Sequence, residues 1–429
     1  MKRKGRKERW FGVAAFIGAV LLVGGCATTG GSESAEKVDG SGSEPKKEKV
    51  EIDPMLIRGG KGKKPPKTVD SKDVFDKAYE AYSARRYEEA VAHYEMIVRY
   101  FDESRFFRPA LYNGGLAYEK LERWESAARM YRRIIEEFPK EKDTTDAYYR
   151  LAQVYKQQGR HQEIVELMTQ AMLRDDLSTF DRVEAHTRRS NALIEVGELE
   201  DAEQGFSNLL KINREAAADE RLPSNSRYIV QAYFGLGKIY QKRQSQIQLT
   251  LPPETMGDDL EKKGELLLRA QHYFLKALRQ HHPHWSVASG YMIGRLYEDF
   301  YSDIFSAEVP EDLTKEQVAM YFEELRSKIR PLMKRAIKVY KKNLSLSRRI
   351  GETTDNNKWV AETSEALQRM KAYLNNPVTQ KQAEQLALKG QDFRVLWRPY
   401  ELAGEAVDEA VTRAVDEIEK SSASASSGE

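Results

Sequence analysis

Residues 111–139 read LYNGGLAYEKLERWESAARMYRRIIEEFP. The apolar and small positions recur every three to four residues, which predicts two amphipathic helices joined by a short turn. Gly115 lets the two helices approach closely, and Tyr118 is expected to fill the space beside it. Ala127, twelve residues after Gly115, faces the partner helix, while Tyr131 and Ile134 complete the second helix's apolar side. Trp124 is expected to cap the turn. Pro139 ends the second helix because it cannot donate to the helical ladder.

The pattern repeats on both sides of this stretch. The pairs Ala78/Ala90, Gly115/Ala127, Ala152/Ile164 and Ser190/Ala202 keep the twelve-residue offset, and their first members advance by 37, 37 and 38 residues. Self-similarity at such a period is the mark of a stacked array. Upstream, YEEAVAHYEMIVRYF (87–101) is a second helix. Downstream, YYRLAQVYKQQGRHQEIVELMTQAM (148–172) is a whole pair with Gly159 in its turn, and Gly197 marks the next. YFGLGKIY (233–240) and RAQHYFLKAL (269–278) form a fifth pair, interrupted by an insertion near 244–264. SGYMIGRLY (289–297) opens a sixth, its partner expected over 331–349 with a separate inserted helix over 315–328. Later helices are expected over 358–374, 378–390 and 399–419.

The order small, Gly, aromatic, Ala, aromatic, Ala, Pro resembles the tetratricopeptide repeat (TPR). The resemblance implies an all-α fold, a TPR α-solenoid in which helix pairs stack into a right-handed superhelix with a groove lined by first helices. The expected organisation is a leader over 1–25, a linker over 26–68, a TPR array of about five repeats over 69–280, further TPR-like helices over 281–419 and a disordered tail over 420–429.

The ends carry a different message. The chain has 69 Lys plus Arg against 67 Asp plus Glu, a formal charge of +2. Six of those cations fall in the first nine residues, against Glu8. Without that segment the charge is −3, and the overall electrostatic case for nucleic acid disappears. Trp10 to Val23 is apolar or Gly throughout, too short for a span of ~20 residues but the length of a signal-peptide core. It ends in Val23-Gly24-Gly25-Cys26, which resembles a lipobox, so Cys26 is the expected lipidation site. As the sole cysteine it has no internal disulfide partner. Acyl chains at ~0.8 kcal/mol per buried methylene make such an anchor permanent. Ala27, in place of Asp, implies by resemblance the outer membrane, with the body on its periplasmic face. Residues 27–68, rich in Gly, Ser, Lys, Glu and Pro, read as a flexible tether with a reach of roughly 35 Å.

The stretch FDKAYEAYSARRYEEAVAHYEMIVRYF (75–101) is similar to the BamD- and CpoB-like TPR lipoproteins of the Gram-negative envelope and, more distantly, to those of gliding-motility machines. The resemblance implies a non-catalytic scaffold that binds envelope proteins in its groove. The candidate contact residues on first helices are Phe75, Tyr79, Tyr112, Asn113, Tyr149 and Arg150. Tyr in a groove offers large contact area at little rotamer cost. Asn113 and Arg150 stand where two members of a carboxylate clamp would, whereas Phe75 and Tyr79 occupy places that would need Lys and Asn.

His281-His282-Pro283-His284 is the best metal candidate, but it lacks a fourth ligand, and Gly59 to Lys63 lacks phosphate-loop spacing. No metal, cofactor, nucleic acid or small-molecule substrate is expected. The competing readings are a peptidoglycan-directed envelope enzyme or its accessory, a motility or pilus component, and a soluble cytoplasmic adaptor.

Overall fold

The structure is a computed structural model, and it describes residues 55–58, 67–305, 307–308 and 314–375. The expected leader, Cys26, most of the linker and the helices expected beyond 375 lie outside the described residues.

Two short strands come first. β1 (Met55–Arg58) pairs antiparallel with β2 (Lys67–Asp70), in a register that runs from Met55 opposite Asp70 to Arg58 opposite Lys67. This corrects the expectation of an unstructured linker up to residue 68. Met55-Leu56-Ile57 and Thr68-Val69 are strand-forming residues, and Pro65-Pro66 stops just short of β2. Asp70 then caps the first helix, its carboxylate accepting from the Lys72 amide at 3.0 Å.

Thirteen helices follow among the described residues. The first helices of successive pairs are α1 (Ser71–Ser83), α3 (Phe107–Lys120), α5 (Thr144–Gln157), α7 (Thr179–Val196), α9 (Arg227–Gln246) and α11 (Pro283–Phe305). Their partners are α2 (Tyr87–Tyr100), α4 (Trp124–Glu137), α6 (His161–Ala171), α8 (Leu199–Glu215), α10 (Pro253–Leu278) and α12 (Lys315–Arg349). A single helix, α13 (Lys358–Asn375), is the last among the described residues. Each helix packs chiefly on its neighbours in sequence. The result is an α-solenoid whose core residues run from Val74 to Met370. All of the core among the described residues lies in the portion from Asp53 onward.

Small residues in the first helices hold the pairs together. A Cβ on Gly115 would lie 2.6 Å from the Tyr131 ring, one on Gly237 2.6 Å from Phe274, and one on Gly294 2.3 Å from Tyr340. Tyr131, rather than Tyr118, therefore occupies the space at Gly115. Tyr118 instead donates its hydroxyl to Glu95 of the preceding pair at 2.7 Å. Trp124 is the first residue of α4. The tight turns inside the pairs share one geometry. Arg85, Glu122, Gly159 and Gly197 all have positive φ (60°, 55°, 70° and 94°). The next amide bonds five residues back, as in Arg123 to Tyr118 and Arg160 to Tyr155.

Pairs five and six are longer. Most of the expected insertion at 244–264 is helical: α9 runs to Gln246 and α10 starts at Pro253, with Pro at its tolerated first turn. The buried Lys263 holds the intervening loop. It donates to the carbonyls of Gln244 (2.9 Å) and Ile247 (2.7 Å) and pairs with Asp303 of α11 at 2.8 Å. In the sixth pair, the two helices expected over 315–328 and 331–349 are one. Pro331 sits inside α12 and costs only local ladder bonds, while a Thr314/Gln317 capping box starts the helix.

α13 is bolted on by polar groups. Glu298 of α11 accepts from Tyr340 (2.9 Å) and from Arg369 of α13 (2.5 Å), while Asn343 donates to Thr363 at 3.0 Å. Glu362, Glu365, Gln368 and Lys371 are exposed and polar.

Candidate partner-binding face

Phe75, Tyr112 and Tyr149 each stand three residues before the small residue of their helix, and so do Phe234 and Tyr291. At four of these positions, Tyr149 excepted, the ring meets the aromatic of its own second helix. Phe75 meets Tyr94 at 5.9 Å and Tyr112 meets Tyr131 at 5.9 Å. Phe234 meets Phe274 at 5.3 Å, and Tyr291 meets Tyr340 at 6.1 Å. The first three contacts are edge-to-face, the favoured aromatic arrangement. Phe75 and Tyr149 are accordingly buried, at 9% and 8% exposure. Tyr149 further donates to the carbonyl of Asp181 at 2.6 Å and lies beneath the Arg188 guanidinium. Both side chains are engaged in holding helices together, and they present little surface to a partner.

One turn further on, the picture changes. Tyr79 is 47% exposed. Tyr82, Tyr112 and Leu116 are half-buried, so α1 and α3 carry incompletely covered apolar groups at neighbouring positions. Arg150 reaches Glu119 at 3.4 Å and lies beside the Tyr112 hydroxyl, and Tyr131 donates to the same Glu119 at 2.6 Å. Burial pushes the Tyr112 phenol up, and Arg150 opposes that shift. Asn113 is half-buried. Of the two expected clamp members, Arg150 faces an internal carboxylate of this chain. Glu119 was missed in the sequence because it reads as one more solvated helix acid.

Farther along, Glu184 accepts from Tyr228 at 2.6 Å and pairs with Arg188 at 2.5 Å. Phe234 gathers Trp285 (5.0 Å) and Trp359 (6.1 Å), both half-buried, and Lys358 lies over Trp359 at 4.7 Å. The two tryptophans sit in the first turns of α11 and α13, a signal available in the sequence once those helices are placed. His281, with a φ of 56°, lies in the turn between α10 and α11, and His284 is in the first turn of α11. Among the described residues no three His, Cys, Asp or Glu side chains converge as a metal site.

The aromatic–small contact, the positive-φ turn and the 37-residue advance all recur, and two overlapping stretches, 75–141 and 112–171, match the family described as Tetratricopeptide repeat. The helix pairs within 75–171 match tetratricopeptide repeats. Solved TPR-type structures are similar at low identity. The crystal structure of MamA protein is 14% identical, over 49% of this chain and 91% of that one, with a TM-score of 0.35. YrrB, described as a TPR protein with an unusual peptide-binding site, is 18% identical, over 48% and 86%, with a TM-score of 0.32. A tetratricopeptide repeat protein from Parabacteroides merdae ATCC 43184 is 14% identical, over 70% and 98%, with a TM-score of 0.34. No curated protein matches the sequence.

Proposed function

We propose that the protein is a membrane-anchored, non-catalytic TPR scaffold, held through acylated Cys26 at the periplasmic face of the outer membrane, that docks other envelope proteins in an assembly or machinery complex. The observation that carries the docking reading is the half-open row Tyr79, Tyr82, Tyr112 and Leu116 on α1 and α3, apolar area left uncovered beside the Arg150–Glu119 pair. Such a row suits an extended or helical segment of a partner whose apolar side chains lie along it. The basic leader, the short apolar run and Val23-Gly24-Gly25-Cys26 support the anchor.

The test is a pull-down of the acylated full-length protein from envelope extracts, compared with Tyr79→Ala/Leu116→Ala. These two side chains are uncovered enough to be truncated without opening the core. Loss of a partner from the variant is expected, and retention of every partner would refute the docking face. For the anchor, Cys26→Ser should move the protein from the membrane to the soluble fraction. A variant that stays with the membrane would disprove lipid attachment.

A further inference from the structure

Between residues 326 and 349 the chain carries ten Lys or Arg and no Asp or Glu. The structure sorts the later part of this run by face. From 330 to 349, Leu332, Met333, Ala336, Ile337, Val339, Tyr340, Asn343, Leu346 and Ser347 are buried. The exposed positions are Arg330, Lys334, Lys338, Lys341, Arg348 and Arg349, with Pro331. Apart from that proline, every exposed position on this stretch of α12 is cationic. Arg330, Lys334, Lys341 and Arg348 repeat at helical spacing along one line about 27 Å long.

An ordinary solvated helix face mixes signs. α4 does so with its Arg133–Glu137 pair at 2.7 Å. Arg330 and Lys334 stand four residues apart, a like-charge spacing that destabilises a helix. The second helices α2, α6 and α8 show the contrast, carrying acids on their exposed faces such as Glu88, Glu89, Glu166, Asp201 and Glu215.

We infer that the exposed face of α12 is a docking surface for anionic phospholipid headgroups. The inference rests on the membrane-tethered reading above, which places a bilayer within reach of the array. A rigid helix with its cations on one line can lay them all on a plane at once. Each cation close to an anionic bilayer strengthens partitioning by roughly fivefold. The surface would thus hold the far end of the array near the membrane, independently of the acyl chains.

The experiment uses residues 53–429, which carry all of the core among the described residues and lack both leader and Cys26, so its outcome does not depend on the anchor. Binding is measured by co-sedimentation with phosphatidylcholine vesicles containing 30% phosphatidylglycerol and with phosphatidylcholine alone (probe composition ~30% for a strongly anionic surface). The protein is expected to bind the anionic vesicles only, and to be released by high salt. Lys334→Gln/Lys341→Gln/Arg348→Gln should weaken binding roughly a hundredfold. Lys120→Gln/Lys156→Gln/Lys211→Gln, exposed lysines on other helices, removes the same charge and should change it little. Circular dichroism confirms that both variants remain folded, and single substitutions at the same positions give graded losses if the triple variant does not.

The inference is overturned if the protein ignores anionic vesicles, or if both triple variants lose binding equally. It is also overturned if duplex DNA is bound through Lys334 and Lys341 while the vesicles are not. Cross-linking of these lysines to the acidic segment 401–419 without vesicle binding would likewise assign the face to this chain's own tail.

Discussion

In the pairs α1–α2, α3–α4 and α7–α8, the small residue of the first helix precedes the aromatic of the second by sixteen positions: Ala78 to Tyr94, Gly115 to Tyr131, Ser190 to Phe206. In α9–α10 the separation is 37, from Gly237 to Phe274, and in α11–α12 it is 46, from Gly294 to Tyr340. The contact is nevertheless the same at Gly115, Gly237 and Gly294, a ring laid on a residue without a side chain. The repeat is therefore defined by that contact and not by the length of chain between its halves. The added residues enter mostly as extra helical turns on α10 and α12, which satisfy their own backbone hydrogen bonds and leave the packing register untouched.

Truncating the rings tests this equivalence most severely. Tyr131→Ala and Tyr340→Ala should each destabilise their region by about 3–5 kcal/mol through lost burial and an unfilled cavity. Tyr340→Ala should stand at the upper end, because it also strips a donor from buried Glu298. Denaturant unfolding followed by hydrogen exchange reads each region separately, and a Tyr340→Ala loss below about 1 kcal/mol would break the equivalence.

Filling the notch is the milder version. Gly115→Ala and Gly294→Ala should each cost about 1–3 kcal/mol by overpacking. Unequal losses would show that the longer helices of the sixth pair yield more easily.

The turns sharpen the comparison within the regular pairs. Glu122→Gly should stabilise by up to about 1 kcal/mol, since a non-glycine residue in the left-handed region is strained. Gly159→Ala should destabilise by a similar amount, and opposite shifts in thermal midpoint would confirm the shared geometry. Smaller still are the bridges between pairs, Arg123 to Glu88 (2.7 Å) and Arg160 to Glu125 (3.2 Å), exposed except for the half-buried Arg160. Each Arg→Ala change should cost under about 1 kcal/mol and nothing measurable in 1 M salt.

The last effect is on pH. His186 of α7 is held below the usual histidine range by burial and by Arg189 and Arg182. The unfolded chain therefore binds the proton more readily, and stability should fall as pH drops below about 6.5. His186→Gln should flatten that slope in pH-dependent melts, and an unchanged slope would exclude this histidine as its source.

Much of this architecture was legible because it is periodic. Gly115, Ala152 and Ser190 recur at a fixed advance, and their helices follow from apolar spacing alone. The same regularity hid the meaning of Phe75 and Tyr149. A ring three residues before a small one lies on the groove side of the helix, and only the packing shows that Tyr94 and Asp181 have already engaged it. Arg85 and Glu122 concealed two turns because neither is the glycine that marks Gly159 and Gly197. Pro331 suggested a helix boundary that the long α12 overrides. Glu119 and the cations of α12 looked like solvated faces, and what distinguishes them is a neighbour in one case and the alignment of Arg330, Lys334, Lys341 and Arg348 along one line in the other.

The fastening of α13 has a mechanical consequence. A linear array melts inward from its ends. At the C-terminal end of the described array, Arg369 grips Glu298 and Thr363 is tied to Asn343, so α13 engages both helices beneath it. At the other end α1 leans on α2 and β2, and its buried polar tie is the Ser104–Ser71 hydroxyl contact at 3.0 Å. Tension entering through β2 would meet α1 first and peel pairs one at a time, while the enlarged pairs behind the Glu298 bolt kept their shape. The molecule is built to give way at the end where its N-terminal segment would pull.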